Sequence, residues 1–494
     1  KGSNLHVARA RAVWLIGEWV EQVKPEIRQL AYNRISTGLQ DPDLVVRVMA
    51  TKSLLSLVND FGFRDTLAMY SQNFLAPHMH FLLKLTTDVK ELDARTLVTN
   101  VIRHIVEALK DGIKPVVGLI MQYLPTLWQH CTEADMLRTT LISILKEMVI
   151  SLGPDSVSLH PFAIPVLRFS LDTQAQNRAY LQEYALELWH SVLYNSPTMT
   201  RDLVNLFPAW AVISVTSTEY LQASLEILES YIVLGNRPFL KVHGEVLKKT
   251  VCQLFSEVRD EGRELIVRHL ECLSQRFPQE FPTVMAPIMV EIINTLLSTG
   301  KALELDRKAN SSLHTDALRV QDKTLREFSR LISRLLFQNF AGTTEFIQKA
   351  FPGHAKQVIA TILALWVDRL GDGWELYKRR VAFFAMCNCL ATGEPEVLAH
   401  FADILGFASG IVAEENSDEA RNCIPDFSSV RQVPESKRTE RHRLQLMVAD
   451  DPSLSQSVKR YVHETMRKLS ERLGQQRFQI LISKVDPLII NMLK

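Results

Sequence analysis

Paired histidines and paired cysteines are the residues of this chain whose types suit a metal site, but their spacing argues against one. His78 and His80 lie two residues apart in a predicted helix, and so do Cys387 and Cys389. Residues two apart on a helix point to different faces, whereas metal ligands that share a helix lie three or four apart. We therefore expect no metal and no cofactor at either pair.

Two further motifs approach catalytic signatures without completing them. Gly300-Lys301 lacks the preceding glycine and the following Ser or Thr of a phosphate-binding P-loop. His463-Glu464 is followed by Arg467 at the position where the helix of a zinc protease carries its second histidine. The sequence therefore predicts no catalytic residues, and we expect the chain not to be an enzyme.

The length and composition predict a folded protein with more than one hydrophobic core. The chain has 494 residues, and a single core stops growing at about 250 to 300 residues. Apolar residues make up 47% and charged residues 22%, which is typical of folded and not of disordered chains. The net charge is +1, so bulk electrostatics disfavour nucleic acid as a partner. The longest apolar run, Val358 to Val367, is much shorter than the roughly 20 residues of a membrane span.

The stretch from Pro25 to Phe61 predicts two antiparallel helices joined by a tight turn at Asp41-Pro42-Asp43. Such a hairpin leaves an apolar face of its second helix uncovered, so it requires a neighbour of the same kind. Helical patterns pair again along the chain at intervals of about 40 residues, the length of HEAT or armadillo units. The predicted fold is therefore all-α, a superhelical α-solenoid of about ten antiparallel helix pairs over residues 1–494.

Within this hairpin, the helical period assigns four residues of the first helix to its buried face. They are Ile27, Leu30, Ala31 and Ile35.

Two polar stretches interrupt the predicted repeats. We interpret residues 299–322 as an insertion that contacts a partner through Asp306, Arg307 and Lys308. Residues 415–451 carry acidic residues first and basic residues second, which is typical of a flexible loop.

The spacing of Asp41, Val46, Arg47 and Ala50 resembles the HEAT repeat. This resemblance implies that Asp41 and Arg47 belong to a ladder of ion pairs between adjacent repeats. Other charged residues lie off the apolar stripes of the second helices, where they would face the concave side and contact a large protein partner. The alternative is that they form solvated surfaces and inter-repeat pairs. These residues are Lys52, Asp93, Arg95, Arg103, Arg138 and Lys146.

Two stretches of the chain resemble the importin-β superfamily of nuclear transport receptors, the karyopherins, and within it the importin-eleven type. In that type a Trp-Leu-Ile-Gly-x-Trp helix precedes a repeat that contains Asp-Leu-Val-Val-Arg. The C-terminal stretch is similar to the end of such receptors. The two stretches are RARAVWLIGEWVEQV with LQDPDLVVRVMATKSLLSLVNDF, between Arg9 and Phe61, and RFQILISKVDPLIINMLK at the C-terminus.

The resemblance implies a nuclear import receptor that shuttles between cytoplasm and nucleus. Such a receptor binds protein cargo on its concave surface, crosses the nuclear pore through contacts with Phe-Gly nucleoporins, and releases cargo when Ran-GTP binds. The six charged residues of the second helices and the three residues of the insertion are then expected to contact cargo or Ran. Because the chain opens on an unpaired helix, we expect it to be the C-terminal half of a longer receptor. The principal Ran-GTP site of the superfamily lies in the first repeats, so Ran-GTP is expected to bind mainly through the missing N-terminal half.

Two other functions are compatible with the same pattern. One is a static HEAT-repeat scaffold that assembles a multiprotein complex. The other is an exportin that carries tRNA or other RNA, which the near-neutral charge disfavours. The loose repeats and long insertions favour the receptor by family likeness. We expect a monomer that contacts neither membrane nor nucleic acid.

Overall fold

The computed structural model divides the chain into two compact units, and each is described by itself. Unit 1 contains Lys1–Ala209 and Glu435–Thr439, and unit 2 contains Trp210–Pro434 and Glu440–Lys494. The regular elements of the described residues are helices without any strand, so the all-α prediction is confirmed. The structure describes residues 5–131, 135–235, 237–308, 316–370, 375–415 and 427–494, with no side-chain description at 135, 176–178 and 302–322.

Unit 1 contains α-helices of 11 to 18 residues joined by short turns and 3-10 segments. In chain order they are α1 (Leu5–Glu18), α2 (Pro25–Leu39), α3 (Leu44–Asn59), α4 (Phe63–Asn73), α5 (Leu75–Asp88), α6 (Leu92–Leu109), α7 (Val117–His130), α8 (Asp135–Leu152), α9 (His160–Ser170) and α10 (Gln182–Asn195); the boundary to unit 2 falls inside α11 (Arg201–Thr216).

Helix pairs form two layers in unit 1. The second helices of successive pairs pack side by side in the order α1, α3, α6, α8 and α10, and we call this row the second-helix layer of unit 1. The first helices α2, α5 and α7 form the other layer. Gly17 lets α1 approach α3 closely, because a Cβ atom there would lie 2.7 Å from the Cα of Ser53. The inner helices of this row, α3, α6 and α8, are each flanked by two other second helices.

Local sequence explains where the first complete pair begins and ends. Pro25 occupies the first turn of α2, where a missing N–H breaks no helical hydrogen bond. Asp43 caps α3 by accepting a hydrogen bond of 2.9 Å from the backbone N–H of Val45. The predicted hairpin and its acidic turn are thus present in the structure.

The predicted buried face of α2 was partly wrong. Ala31 and Ile35 are buried, but Ile27 and Leu30 are about half exposed. The buried face is rotated toward Arg28, whose guanidinium is buried against Asp60 at the end of α3. An arginine neutralised by a carboxylate from the next helix occupies a position that a count of apolar residues assigns to solvent.

Unit 2 contains longer first helices and a second group of helices near the C-terminus. In chain order they are α12 (Leu221–Leu234), α13 (Arg237–Glu257), α14 (Asp260–Arg276), α15 (Phe281–Val284), α16 (Ala286–Lys308), α17 (Asp316–Gln338), α18 (Phe340–Ala350), α19 (Ala355–Arg369), α20 (Leu376–Leu390), α21 (Pro395–Leu398), α22 (Phe401–Glu415), α23 (Ser428–Arg431), α24 (Glu440–Ala449), α25 (Pro452–Ser455), α26 (Val458–Leu473), α27 (Gln475–Ile482) and α28 (Pro487–Leu493).

The second helices of unit 2 also pack side by side. Their order is α12, α14, α17, α20 and α22, which we call the second-helix layer of unit 2. Helices α24, α25 and α26 lie against this layer, on α12 and α20. This covering has no counterpart among the described helices of unit 1.

The two polar interruptions differ from their predicted extents. Helices α16 and α17 continue into both ends of residues 299–322, and only 309–315 of that stretch lie outside the described residues. The prediction of a loop over 415–451 was wrong for its second half, because residues 440–449 form helix α24 and Glu440 is buried. Charge alone predicted solvent there, whereas packing on α12 gives these residues buried partners. Residues 416–426 lie outside the described residues.

The buried aromatic and aliphatic side chains of each unit form its core. Trp189 lies in the core of unit 1, and Trp210 and Trp366 in that of unit 2. Trp19, by contrast, is largely exposed. In the ranges that the structure describes, no helix combines the length and the apolar character needed to cross a membrane.

Replacing Leu82 with Ala is expected to destabilise unit 1 by about 2 to 5 kcal/mol, because the leucine is fully buried in α5 and its removal leaves a cavity. Leu92→Ala is the matched control, since Leu92 is about half exposed and its replacement is expected to change stability by less than about 0.5 kcal/mol. Urea unfolding followed by circular dichroism measures both. Equal midpoints for the two variants would contradict the assigned packing.

Candidate partner-binding surfaces

Asp41 and Arg47 each form an ion pair with a neighbouring helix pair. Arg9 of α1 donates to the two oxygens of Asp41 at 2.7 and 3.0 Å, and its hydrogen bond holds the pKa of Asp41 below its ordinary value. Arg47 of α3 donates to Asp88 at the end of α5 at 2.6 Å. In both cases an arginine of one second helix contacts the aspartate that precedes the next second helix. Sequence reasoning missed Arg9 and Asp88.

Partly exposed pairs of this kind contribute about 0 to 1 kcal/mol each. These ion pairs are directional, whereas the apolar contacts between helix pairs are not. The ion pairs therefore favour one register between adjacent helix pairs.

The six other charged residues singled out from the sequence lie on α3, α6 and α8 of the second-helix layer of unit 1. Lys52 and Asp93 are exposed and form no ion pair within the part of the chain that the structure describes. Lys52 borders a groove of about 450 Å³ between α1 and α3, which Trp14 and Val45 also line. Arg11 lies over the Trp14 ring, 5.2 Å from its centroid. The groove is therefore apolar with a cation at each side.

The remaining four are already engaged inside unit 1. Arg95 donates to the backbone carbonyl of Val89 at 2.9 Å, and Arg103 pairs with Glu107 one turn along the same helix at 2.9 Å. Arg138 lies over two aromatic rings, with centroid distances of 5.3 Å to Trp128 and 4.5 Å to Phe169. Lys146 contacts Glu187 on α10 at 2.9 Å. These contacts make Lys52 and Asp93 the most available of the set.

The predicted contacts of the insertion cannot be placed in the same way. Asp306, Arg307 and Lys308 fall in the last turn of α16, and their side chains lie outside the described residues.

A second groove lies in unit 2. It has a volume of about 280 Å³ and is bordered by α18, α19 and the segment from α20 to α21. Its lining is mostly apolar or weakly polar, with Lys356 and Glu394 paired at its edge at 2.7 Å. The other lining residues are Phe340, Thr344, Gln348, Ala355, Ile359, Cys389, Thr392 and Val397.

In unit 2 the second-helix layer is covered by residues 440–456, which we call the strap. Glu440 of the strap accepts a hydrogen bond from Ser230 of α12. Gln275 of α14 donates to the carbonyl of Met447 and to Asp451, both at 3.2 Å. The strap therefore contacts successive second helices, and no partner can reach those side chains while it is in place.

Asp451 is the centre of a buried polar network that joins the strap to α14, α17 and α20. Its Oδ2 accepts from Arg334 at 2.6 Å and from the Tyr377 hydroxyl at 2.7 Å. The side chains of Arg334 and Asp451 are fully buried. Desolvation by itself lowers the pKa of Arg334, but Tyr377, Glu271 and Asp451 together raise it above its ordinary value. The guanidinium therefore stays charged and depends on its carboxylate partners.

Glu440 lies in a second buried cluster, between the strap and α12. Burial, together with the nearby carboxylates Glu229 and Glu226, raises its pKa to about 7, although Ser230 and Arg443 act in the opposite direction. Burial likewise raises the pKa of Glu229, whose Oε2 lies 3.8 Å from His269 Nε2 on α14. The cluster concentrates carboxyl groups where water is excluded.

Of the four paired residues whose types suit a metal site, His78, Cys387 and Cys389 are buried as ordinary core side chains. His78 is fully buried, with Ser36 Oγ 2.6 Å from its Nε2, and burial lowers its pKa to about 4. His80 is exposed on another face of α5. Burial raises the pKa of the Cys389 thiol to about 12 and that of Cys387 as well. Within the described ranges no group of three or more His, Cys, Asp or Glu side chains has the arrangement of a metal site.

Comparison with known proteins gives a match over most of the chain. The family model described as importin-11-like, TPR repeats, matches residues 139–494. The chain belongs to the importin-11-like family. Human importin-11 is 27% identical over 98% of this chain, and the importin β-like protein KAP120 of Saccharomyces cerevisiae is 24% identical over 100% of it. These alignments cover 49% and 50% of the two relatives, so the chain spans about half the length of the curated relatives it matches.

Solved structures show the same fold as this importin-11-like chain. The structure of Lph2, described as a bidirectional nuclear transport receptor of S. cerevisiae, superposes with a TM-score of 0.81 at 21% identity, covering 100% of this chain and 52% of that one. The exportin Cse1 in its cargo-free, cytoplasmic state superposes with a TM-score of 0.55 at 15% identity, covering 99% of this chain and 48% of that one. The fold is accordingly the α-solenoid of HEAT-repeat karyopherins, as predicted.

Sequence reasoning missed the strap and its buried partners. A signal was present in Asp451-Pro452-Ser453, since Asp451 caps the short helix α25 by accepting from the backbone N–H of Ser453 at 2.8 Å. The cap predicts a helix start, but it does not identify Arg334 as a partner 117 residues away.

Replacing Glu440 with Gln is expected to remove a loss of stability that accompanies rising pH. A carboxyl with a pKa of about 7 when folded and 4.5 when unfolded binds its proton more tightly in the folded state. Its contribution is complete below about pH 4.5 and is lost as the pH rises through about 7. The free energy of unfolding of the wild type should therefore fall by up to about 3 kcal/mol relative to that of Glu440→Gln as the pH rises across this range.

Urea unfolding at several pH values between about 5 and 8 measures this difference. Glu435→Gln serves as the control, because Glu435 is exposed and outside the cluster. Parallel pH profiles for the wild type and Glu440→Gln would show that Glu440 is not the titrating group.

Proposed function

We propose that this chain is part of a nuclear import receptor that binds protein cargo and passes the nuclear pore. The proposal is carried by similarity along the whole chain. Residues 139–494 match the importin-11-like family model, and the whole chain superposes on a nuclear transport receptor with a TM-score of 0.81. The importin-11 and KAP120 relatives carry importin names, which supports import as the direction. Protein cargo, Ran-GTP and Phe-Gly nucleoporins are the partners of this proposal, and shuttling between cytoplasm and nucleus is the localisation.

The proposal assigns cargo to the second-helix layer of unit 1. This surface presents cations and carboxylates in the same row, with Lys52 and Asp93 free of partners among the described residues. A protein partner with charges of both signs gains orientation and association rate from such a row. The apolar groove beside Lys52 and Trp14 supplies a site for an apolar anchor, which carries more of the binding energy than exposed charges do.

Phe-Gly nucleoporins are assigned to the groove that Phe340, Ile359 and Val397 line. Its volume of about 280 Å³ is suited to one aromatic side chain. Contacts of this kind bury little surface and exchange rapidly, as transit through a pore requires.

The chain is expected to bind a fluorescent Phe-Gly repeat peptide saturably, but not the same peptide with Ser in place of Phe. Thr344→Trp should weaken that binding at least tenfold, because the indole fills the groove that accepts the phenyl ring. Glu345→Trp is the matched control, since Glu345 is the next residue of α18, is exposed and does not line the groove. Fluorescence anisotropy measures each affinity.

The cellular form of the same experiment follows labelled chain at the nuclear rim of permeabilised cells. The wild type and Glu345→Trp should accumulate at the rim, and Thr344→Trp should accumulate less. A chain that neither binds the Phe-Gly peptide nor accumulates at the rim would overturn the receptor proposal in favour of the static scaffold. Wild-type binding that Thr344→Trp leaves intact would overturn only the assignment to this groove.

A further inference from the structure

The strap differs from the helices beneath it in how it is held. Its fully buried side chains are polar, namely Glu440, Asp451 and Ser453, whereas Leu444 and Met447 are only half-buried. The helices under it bury large apolar groups such as Phe383 and Phe384 completely. A segment attached through polar contacts and few buried apolar groups belongs to the least stable part of a fold. The strap is therefore the part of unit 2 best suited to leave and return.

The surface under the strap is built to receive a carboxylate. Three donors from three helices converge on Asp451 Oδ2: the guanidinium of Arg334 on α17, the hydroxyl of Tyr377 on α20 and the amide of Gln275 on α14. Charge-assisted hydrogen bonds to buried groups of this kind are strong and directional. None of the three donors belongs to the strap, so all three remain on the underlying helices when the strap detaches.

The buried charges around the three donors balance only when an anion is bound there. Arg268 and Arg330 contact Glu327, Arg330 and Arg334 contact Glu271, and Arg334 also contacts Asp451. The three arginines are thus balanced by three carboxylates, of which only Asp451 comes from the strap. Without it the site holds one excess positive charge in a buried place, which is costly unless another anion arrives.

The rest of the surface recognises main chain. Gln275 donates to the backbone carbonyl of Met447, and Arg380 of α20 donates to the backbone carbonyls of Ser453 at 3.0 Å and Gln456 at 2.5 Å. Carbonyl groups are common to all peptides, so these contacts fix the path of a segment without fixing its sequence. Specificity falls mainly on the one aspartate.

We propose that the face formed by α12, α14, α17 and α20 is a peptide-binding site that the strap occupies within the same chain. Its ligand class is a short helical segment that ends on an aspartate and then turns, as Ala449-Asp450-Asp451-Pro452-Ser453 does. A partner segment of this chemistry binds only when the strap leaves, so the strap sets the affinity of the site through competition. The inference stands on unit 2 alone and does not require the receptor function.

The test uses a fluorescein-labelled peptide of residues 440–456, ERHRLQLMVADDPSLSQ, as the probe. In the full chain, Asp451→Asn weakens the attachment of the strap and leaves the receiving face unchanged. This variant is expected to bind the probe at least tenfold more tightly than the wild type. Asp450→Asn is the matched control, because the neighbouring carboxylate is exposed and pairs with Arg431 at 2.7 Å. It should bind the probe as the wild type does.

Two further variants identify the site of probe binding. Adding Tyr377→Phe to Asp451→Asn removes one of the three donors and should weaken probe binding at least fivefold. A probe with Asn at position 451 should bind the Asp451→Asn chain more weakly than the original probe. Val448→Gly, at an exposed position of α24, loosens the strap without altering any carboxylate and replaces Asp451→Asn if that chain does not fold.

Amide hydrogen exchange separates a removable strap from an integral one. In Asp451→Asn, exchange at 440–456 should rise at least tenfold while exchange in α14 and α17 stays within twofold of the wild type. The proposal is overturned if exchange at 440–456 is unchanged, or if it rises equally in α14 and α17. It is also overturned if the strap loosens selectively but the probe binds no better than to the wild type.

Discussion

The packing of second helices against one another is the constraint on which the rest of this structure depends. Helix α20 shows it most clearly, because the six consecutive side chains from Val381 to Met386 are all buried. A helix that is apolar on every side is stable only when neighbours cover every side. For α20 these neighbours are α17, α19, α22, α25 and α26. Because the inner second helices each bury apolar surface of two others, a single helix pair would leave apolar side chains exposed to water.

This constraint also explains the treatment of charge. In unit 1 the ion pairs of Arg9 with Asp41 and of Arg47 with Asp88 lie at the edges of the apolar layers, where solvent reduces both their cost and their contribution. In unit 2 the strap covers the polar face of the second helices, and the same kinds of residue become buried. Arg334 then requires Glu271, Asp451 and Tyr377, since an unpaired buried guanidinium is strongly destabilising.

The two units therefore offer different surfaces to other molecules. Within the described residues, the second-helix layer of unit 1 presents Lys52 and Asp93 without ion-pair partners and a largely apolar groove, whereas that of unit 2 is occupied by residues 440–456. The groove bordered by Phe340 and Ile359 lies in unit 2, between α18, α19 and the end of α20. His78 and Cys387, whose residue types suit a metal site, are instead buried in the core.

The amino-acid sequence by itself determined the helices, their pairing and the family likeness, because helical period, caps such as Pro25 and Asp43, and a spacing of about 40 residues between pairs are local properties. It also identified Asp41 and Arg47 by their place in a repeat. Only the tertiary structure decided which polar residues are buried. Arg28 occupies the core face of α2 because Asp60 neutralises it. Glu440 and Asp451 are buried because they form hydrogen bonds with Ser230 and Arg334, which lie 210 and 117 residues away in the sequence. A local period carries no information about a partner at that distance, so charged segments of this kind are indistinguishable from solvated loops until the chain is folded.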